Sequence, residues 1–274
     1  MIDLLPLLVL VLIGVFAGLL SGMLGVGGGF IMVPVQFWLY STSGYPDDVS
    51  LRLAFATSLA VILPTALSSA VGHHRKGAVV WRAGALLGAA ALPAAVFGAW
   101  LATILPAAPL EIFFGLVVLA AGARTFLAPA ESAEVPAVPT TRYLLWGVPV
   151  GLVSGLAGIG GGVILVPILT VALRFPMHRA VATSTVVMLA AASGGLATYM
   201  ILGQGVVGLP PLAVGYVDFF QAAVLAAASI PAAQAGALLS HRLPVRLLKG
   251  VFVVLTTYIG LRMIGVFSIL GLPL

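Results

Sequence analysis

The sequence predicts an all-α, polytopic membrane protein built from two related halves, and three observations carry that expectation. The first is composition: 62% of the 274 residues are hydrophobic and 7% are charged, more apolar surface than a soluble globule of this size can bury. The second is a series of apolar stretches near the roughly 20 residues that a bilayer-spanning helix needs, where backbone without water to bond must be helical. The third is a glycine-rich segment written twice. Ser21 to Pro34 reads SGMLGVGGGFIMVP, and Ser154 to Pro167 reads SGLAGIGGGVILVP. Over Gly18 to Val35 and the stretch 133 residues later, 11 of 18 positions are identical.

Composition also excludes function classes. Cysteine is absent, which removes disulfides, thiolate nucleophiles and cysteine metal sites together. A net charge of +5 from so few charges reads as membrane orientation rather than nucleic-acid binding. The histidines at 73, 74, 178 and 241 are expected in loops, and neither paired membrane carboxylates nor metal-ligand spacing occurs, so no enzyme, cofactor or metal is expected. The N-terminal stretch carries Asp3 instead of a basic region and lacks a small-residue cleavage site, so it reads as a retained first helix.

Taken in order, the first half spans 1–127, with apolar segments at about 4–21, 28–41, 51–72, 83–104 and 109–127. Residues 128–142, APAESAEVPAVPTTR, are proline-rich and polar and read as a linker. The second half, 143–274, repeats the five segments at about 143–157, 161–174, 180–202, 215–240 and 247–268. The short segments after the glycines fall below spanning length unless they are tilted or belong to a broken helix. Homology between halves extends past the glycines: AFATSL matches AVATST, and Leu92 to Pro106 aligns without a gap on Ile230 to Pro244. That frame holds as far as Arg124 against Arg262. If all five segments of each half cross, 10 of the 12 Lys and Arg fall on one side, and only Arg52 and Arg262 on the other. Asp3, Asp47, Asp48, Glu111 and Asp218 gather opposite the basic side. The positive-inside rule then predicts inverted-topology repeats with both termini outside the cytoplasm; the membrane expected is a bacterial inner (plasma) membrane.

Gly25, Gly27, Gly28 and Gly29, with Gly158, Gly160, Gly161 and Gly162, are expected to break the helix, since each glycine costs about 1 kcal/mol relative to alanine inside one. A helix restarting there aims its positive end and its first N–H groups at whatever fills the gap, which suits an anion. Gly18 with Gly22, and Gly151 with Gly155, fit close helix packing instead. Thr57 and Ser58, with Thr183, Ser184 and Thr185, place hydroxyls at matching points of the two halves. Ser21 and Ser154 do so just before the breaks. Hydroxyls can donate to an oxyanion without burying a charge, or can simply bond their own helix at the i−4 carbonyl; both readings stay open. Gln36, Gln221 and Gln234 are amides in apolar helices, read first as interhelical ties, with Gln36 also a gating candidate. Asp218, near the outer end of its helix, is a candidate proton site. Arg124 and Arg262 can snorkel from their helix ends.

The doubled glycine signature, each copy followed by an ATS element and a Pro/Gly helix ending in a loop with LP, resembles the TauE/SafE family of membrane transporters over nearly the whole chain. The resemblance implies export of sulfite or small organosulfonates, with other organic anions moved by some relatives. It places the substrate site at Gly25 to Gly29 and Gly158 to Gly162 with Thr57, Ser58, Thr183 and Ser184. Thr185 stands where the first half has Leu59, so the site need not be symmetric. The expectation is therefore a secondary transporter, an exporter of a small anion alternating access around a midplane site. An anion channel, an importer of another organic anion and a transport-free assembly subunit are the alternatives. Its partners would be the anion and the bilayer, without nucleic acid; a homodimer is one option for the assembly.

Overall fold

The computed structural model describes residues 4–126, 135–239 and 245–266. The first half contains α1 (Leu4–Leu24), α2 (Gly29–Thr42), α3 (Asp47–Arg75), α4 (Trp81–Ile104) and α5 (Ala107–Phe126). The second contains α6 (Thr140–Ala157), α7 (Gly162–Pro167, continuing as a π-turn over Ile168–Ala172), α8 (Met177–Leu202), α9 (Phe219–Leu239) and α10 (Val245–Met263). Among these, α1, α3, α4, α5, α8 and α9 are long and apolar enough to cross a membrane. The polytopic all-α architecture is as expected.

Element ends follow local chemistry. Pro46, Pro139 and Pro176 precede α3, α6 and α8 in extended conformation, where a residue without an N–H and with a fixed φ starts a helix at no loss. Asp47 and Asp48 in the first turn of α3, and His73, His74 and Arg75 in its last, complement the helix dipole.

The halves pack by exchanging partners. Helix α1 lies along α9, and its counterpart α6 lies along α4, the counterpart of α9. In both pairs glycines let backbones meet: a Cβ at Gly22 would overlap the carbonyl of Ala233, and one at Gly151 the carbonyl of Ala91. The small-residue spacing therefore serves packing, as expected of Gly18, Gly22, Gly151 and Gly155. The matching helices α5 and α10 run antiparallel, with Gly115 against Gly260 and Ile264 at one end and Gly122 against Thr256 at the other.

Several expectations about loops are corrected. α3 continues through Arg75, so His73 and His74 lie in its last turn, where His74 Nδ1 accepts the Trp81 indole N–H at 3.3 Å. His178 lies in the first turn of α8 after Pro176, and His241 lies outside the described residues. The end of the expected linker, Thr140 to Arg142, already forms the first turn of α6. The segment expected over 215–240 begins with a two-stranded hairpin, β1 (Ala213–Val214) and β2 (Val217–Asp218), and its helix starts at Phe219. Gly215 has φ +57 in the two-residue turn, and its carbonyl-side neighbour Tyr216 donates its N–H to Tyr199 O at 3.2 Å, docking the hairpin on the end of α8. That docking delivers Asp218 to α3.

Candidate functional site

Both glycine segments interrupt the helix with the same backbone. Gly25, Gly27 and Gly28 have φ of 68°, 83° and 73°, and Gly158, Gly160 and Gly161 have 64°, 69° and 77°. This left-handed region is accessible to glycine and costly for residues with a Cβ. Gly29 and Gly162 then begin α2 and α7. Before each gap the preceding helix closes by the same bond: Gly25 N–H donates to Ser21 O at 2.8 Å, and Gly158 N–H to Ser154 O at 3.0 Å.

The two breaks, far apart in sequence, face each other. A Cβ on Gly29 would lie 2.9 Å from Ile159 Cα, and one on Gly162 would lie 2.8 Å from the Val26 carbonyl carbon. A matched pair of apolar side chains packs the crossing. Ile62 of α3 lies against Gly29 and Gly160, while its counterpart Met188 of α8 lies against Gly27 and Gly162.

The conserved spacing of hydroxyls resolves into a reciprocal tie. Ser58 Oγ donates to the carbonyls of Phe55 and, across the halves, Gly158. Ser184 Oγ donates to the carbonyls of Val181 at 2.8 Å and, across the halves, Gly25 at 2.9 Å. Each half thus holds the break of the other. The threonines one residue earlier act as acceptors: Thr57 Oγ1 takes the N–H of Asp218, and Thr183 Oγ1 that of Val80, both at 3.1 Å. Thr185 bonds within its own helix, donating to Ala182 O at 2.7 Å. Ser154 is buried and its hydroxyl has no partner, so a donor remains available at the second break. Ser21 is buried beside the first break. No Lys or Arg whose side chain is described is buried.

Asp218 and Gln36 lie on the side of α2 and α3 away from the basic loops. Asp218 caps α9, its Oδ1 accepting the N–H of Phe220 at 3.0 Å and of Gln221 at 3.2 Å, while its Oδ2 accepts the Tyr40 hydroxyl at 3.1 Å. Gln36 is fully buried with both amide atoms unpartnered. The expected tie is made by Gln234, whose Nε2 donates to Ser68 Oγ at 2.9 Å. Sequence reasoning missed Tyr40 and Tyr199, the latter donating its hydroxyl to Gly155 O at 2.8 Å beside the second break. A tyrosine inside an apolar span needs a partner for its hydroxyl, which is the signal that could have marked both.

Comparison with known proteins identifies the family. The family described as Sulfite exporter TauE/SafE matches residues 10–263. A "Probable membrane transporter protein" of Haemophilus influenzae is 28% identical over 259 residues, covering 94% of this chain and 97% of the relative. One of Methanocaldococcus jannaschii is 29% identical over 274 residues, covering 97% and 96%. A third, of Bacillus subtilis, is 28% identical over 215 residues, covering 72% and 79%. No solved structure matches the chain. The match across both breaks and nearly all ten helices makes this integral membrane protein a member of the TauE/SafE family.

Proposed function

We propose that the protein is a secondary transporter that exports a small anion, sulfite or an organosulfonate, through a site between the two glycine breaks. The observation that carries this reading is the crossing itself. Two helices restart from opposing gaps, and Ser154 leaves a hydroxyl proton unspent beside one of them. Helix ends and hydroxyls stabilise a negative charge without bringing a buried cation with its desolvation cost.

The exchange of packing partners, the antiparallel course of α5 and α10 and the crossing of the breaks support an inverted repeat with the site near the midplane. The charge distribution supports a cytoplasmic location for the side carrying Arg75, Lys76 and Arg82, with both termini outside, in a plasma membrane. In the conformation described here Ile62 and Met188 fill the crossing, so alternating access requires them to withdraw.

The reading is tested with purified protein in proteoliposomes, measuring counterflow of labelled sulfite, a sulfonate and a carboxylate. Saturable exchange is expected, and it is expected to disappear in Gly28→Leu. Flux that does not saturate and does not exchange identifies a channel. Transport of cations with rejection of all three anions overturns the reading, and normal exchange in Gly28→Leu overturns the placement of the site.

A further inference from the structure

Outside the glycine crossing, the polar groups are distributed one-sidedly. In the frames that relate the halves, Gln36 and Tyr40 correspond to Leu169 and Leu173, and Asp218 and Gln221 correspond to Val80 and Ala83. The skeleton around them is common to both copies. Asp218 N–H and Val80 N–H donate to matching threonines at the same 3.1 Å, and α9 and α4 begin at matching residues, Phe219 and Trp81. α4 starts after Val80 with no side-chain cap, so the carboxyl of Asp218 is not what this helix start requires.

The carboxyl accepts three hydrogen bonds, none of them from a cation, and two amides of the same region keep unpartnered atoms. Asp218 is 5% exposed and receives only neutral donors, two backbone N–H groups and the Tyr40 hydroxyl. Gln221, whose backbone N–H bonds Asp218, has a buried Oε1 without a partner. Gln36 is 0% exposed, and neither its Oε1 nor its Nε2 is bonded. Gln36 follows Gly29 by two helical turns and precedes Tyr40 by one, so all three share one face of α2. Gly29 faces the crossing and Tyr40 reaches Asp218, so along α2 Gln36 stands between the residue at the crossing and the one at the carboxyl.

We propose that Asp218, Gln221 and Gln36 form the site of a single monovalent cation, H⁺ or Na⁺, carried in coupling with the anion; this rests on the anion-transport reading above. One carboxyl among neutral oxygens matches a single positive charge, whereas Ca²⁺ takes six to eight oxygens and commonly several carboxylates. A cation here offsets the charge of an anion at the neighbouring crossing, and by linkage each ligand raises the affinity of the other by the same factor. Arg52 does not already fill this role. Its Nε donates to Ala102 O at 3.3 Å, its Nη2 to Leu105 O at 3.1 Å, and its guanidinium stands 5.9 Å from the Tyr216 ring centre. The titratable group in contact with Asp218 is Tyr40 from α2, itself edge-on to Tyr45; Tyr216 from the hairpin packs on Tyr199 of α8, and α9 presents the uncharged Gln221. Asp47, Asp48 and Glu111 form a separate group, with Asp48 engaged to Ala107 N–H at 2.6 Å.

The experiment has three arms on the full-length protein. Counterflow of labelled sulfite without ion gradients reports the anion reading alone. Net flux driven by a pH gradient or by a Na⁺ gradient reports coupling, and the ratio of driven flux to counterflow is expected to fall about tenfold in Asp218→Asn and also to fall in Gln36→Leu. The third arm needs no anion: radioactive sodium binding and infrared pH titration of protein in detergent. A saturable sodium site, or a titrating carboxyl band, should be present in the native protein and missing in Asp218→Asn. Tyr40→Phe, which keeps the carboxyl, should weaken the same signal and guards against a folding defect in the first variant. A flux ratio in Asp218→Asn equal to the native one overturns the proposal. So does a native protein with neither sodium binding nor a carboxyl band assignable to Asp218. Absence of counterflow for every anion overturns the anion reading instead, and the cation site is then decided by the third arm.

Discussion

The two breaks are the same backbone in two chemical settings. Gly25 to Gly29 and Gly158 to Gly162 repeat their φ angles, their closing bonds and their reciprocal serine ties. Yet α2 carries Gln36 and Tyr40 beyond the first break, where the helix after the second carries Leu169 and Leu173 and relaxes into a π-turn. The difference teaches that the backbone of the crossing and the polar groups beside it are separable. The first is common to both copies, and the second belongs to one.

The strongest way to break the comparison is at the glycines. Gly158→Ala combines a left-handed residue, costing about 1–2 kcal/mol, with a Cβ placed on the backbone of Phe55. Its mate Gly25→Ala has the same left-handed cost but a smaller overlap, with Val181 Cγ1 at 2.7 Å and Val181 Cα and Ser184 Oγ at 3.0 Å, against a closer approach to Phe55 Cα at Gly158. Thermal unfolding in detergent should therefore show Gly158→Ala losing the folded protein and Gly25→Ala surviving with reduced stability. The crossing plug comes next. Ile62→Ala and Met188→Ala should each destabilise by about 2–5 kcal/mol and, if the plug gates the path, both should raise uncoupled anion leak in liposomes.

The asymmetric arm gives a test with opposite signs. Burying an unpaired amide costs about 1–3 kcal/mol, so Gln36→Leu should raise thermal stability while lowering driven transport, and Leu169→Gln should lower stability by a similar amount. The smallest effect is expected where the copies agree most. Ser58→Ala and Ser184→Ala should each cost about 1 kcal/mol, with equal shifts in unfolding midpoint marking equivalent ties.

Much of this was legible in the chain. The duplicated glycines announced the breaks because glycine tolerates the required backbone, and apolar runs announced the helices because the bilayer allows little else. The crossing was not legible, since it depends on how the halves dock. The serines were candidate anion donors because a hydroxyl in an apolar helix has few uses. Their protons in fact go to carbonyls that the glycine gaps expose in the opposite half. Asp218 and Tyr40 are separated by 178 residues and meet only because a short hairpin, preceded by Pro210 and Pro211 and turning at Gly215, docks on α8. His73 and His74 read as loop residues because they adjoin a glycine and two basic residues, but α3 runs on through them.

The length of α3 has a consequence for the surrounding lipid. Its stretch from 49 to 72, between the aspartates and the histidines and with Arg52 as its one charge, is about 36 Å long at 1.5 Å per residue. The hydrocarbon core of a bilayer is about 30 Å, so the excess is taken up by tilt, by a bend at Pro64 or by local thickening, and the thickness of the membrane sets how much. Ser58 and Ile62 ride on that helix and touch the opposite break. Acyl-chain length thereby becomes a control on the crossing, and turnover in vesicles of graded thickness should pass through an optimum.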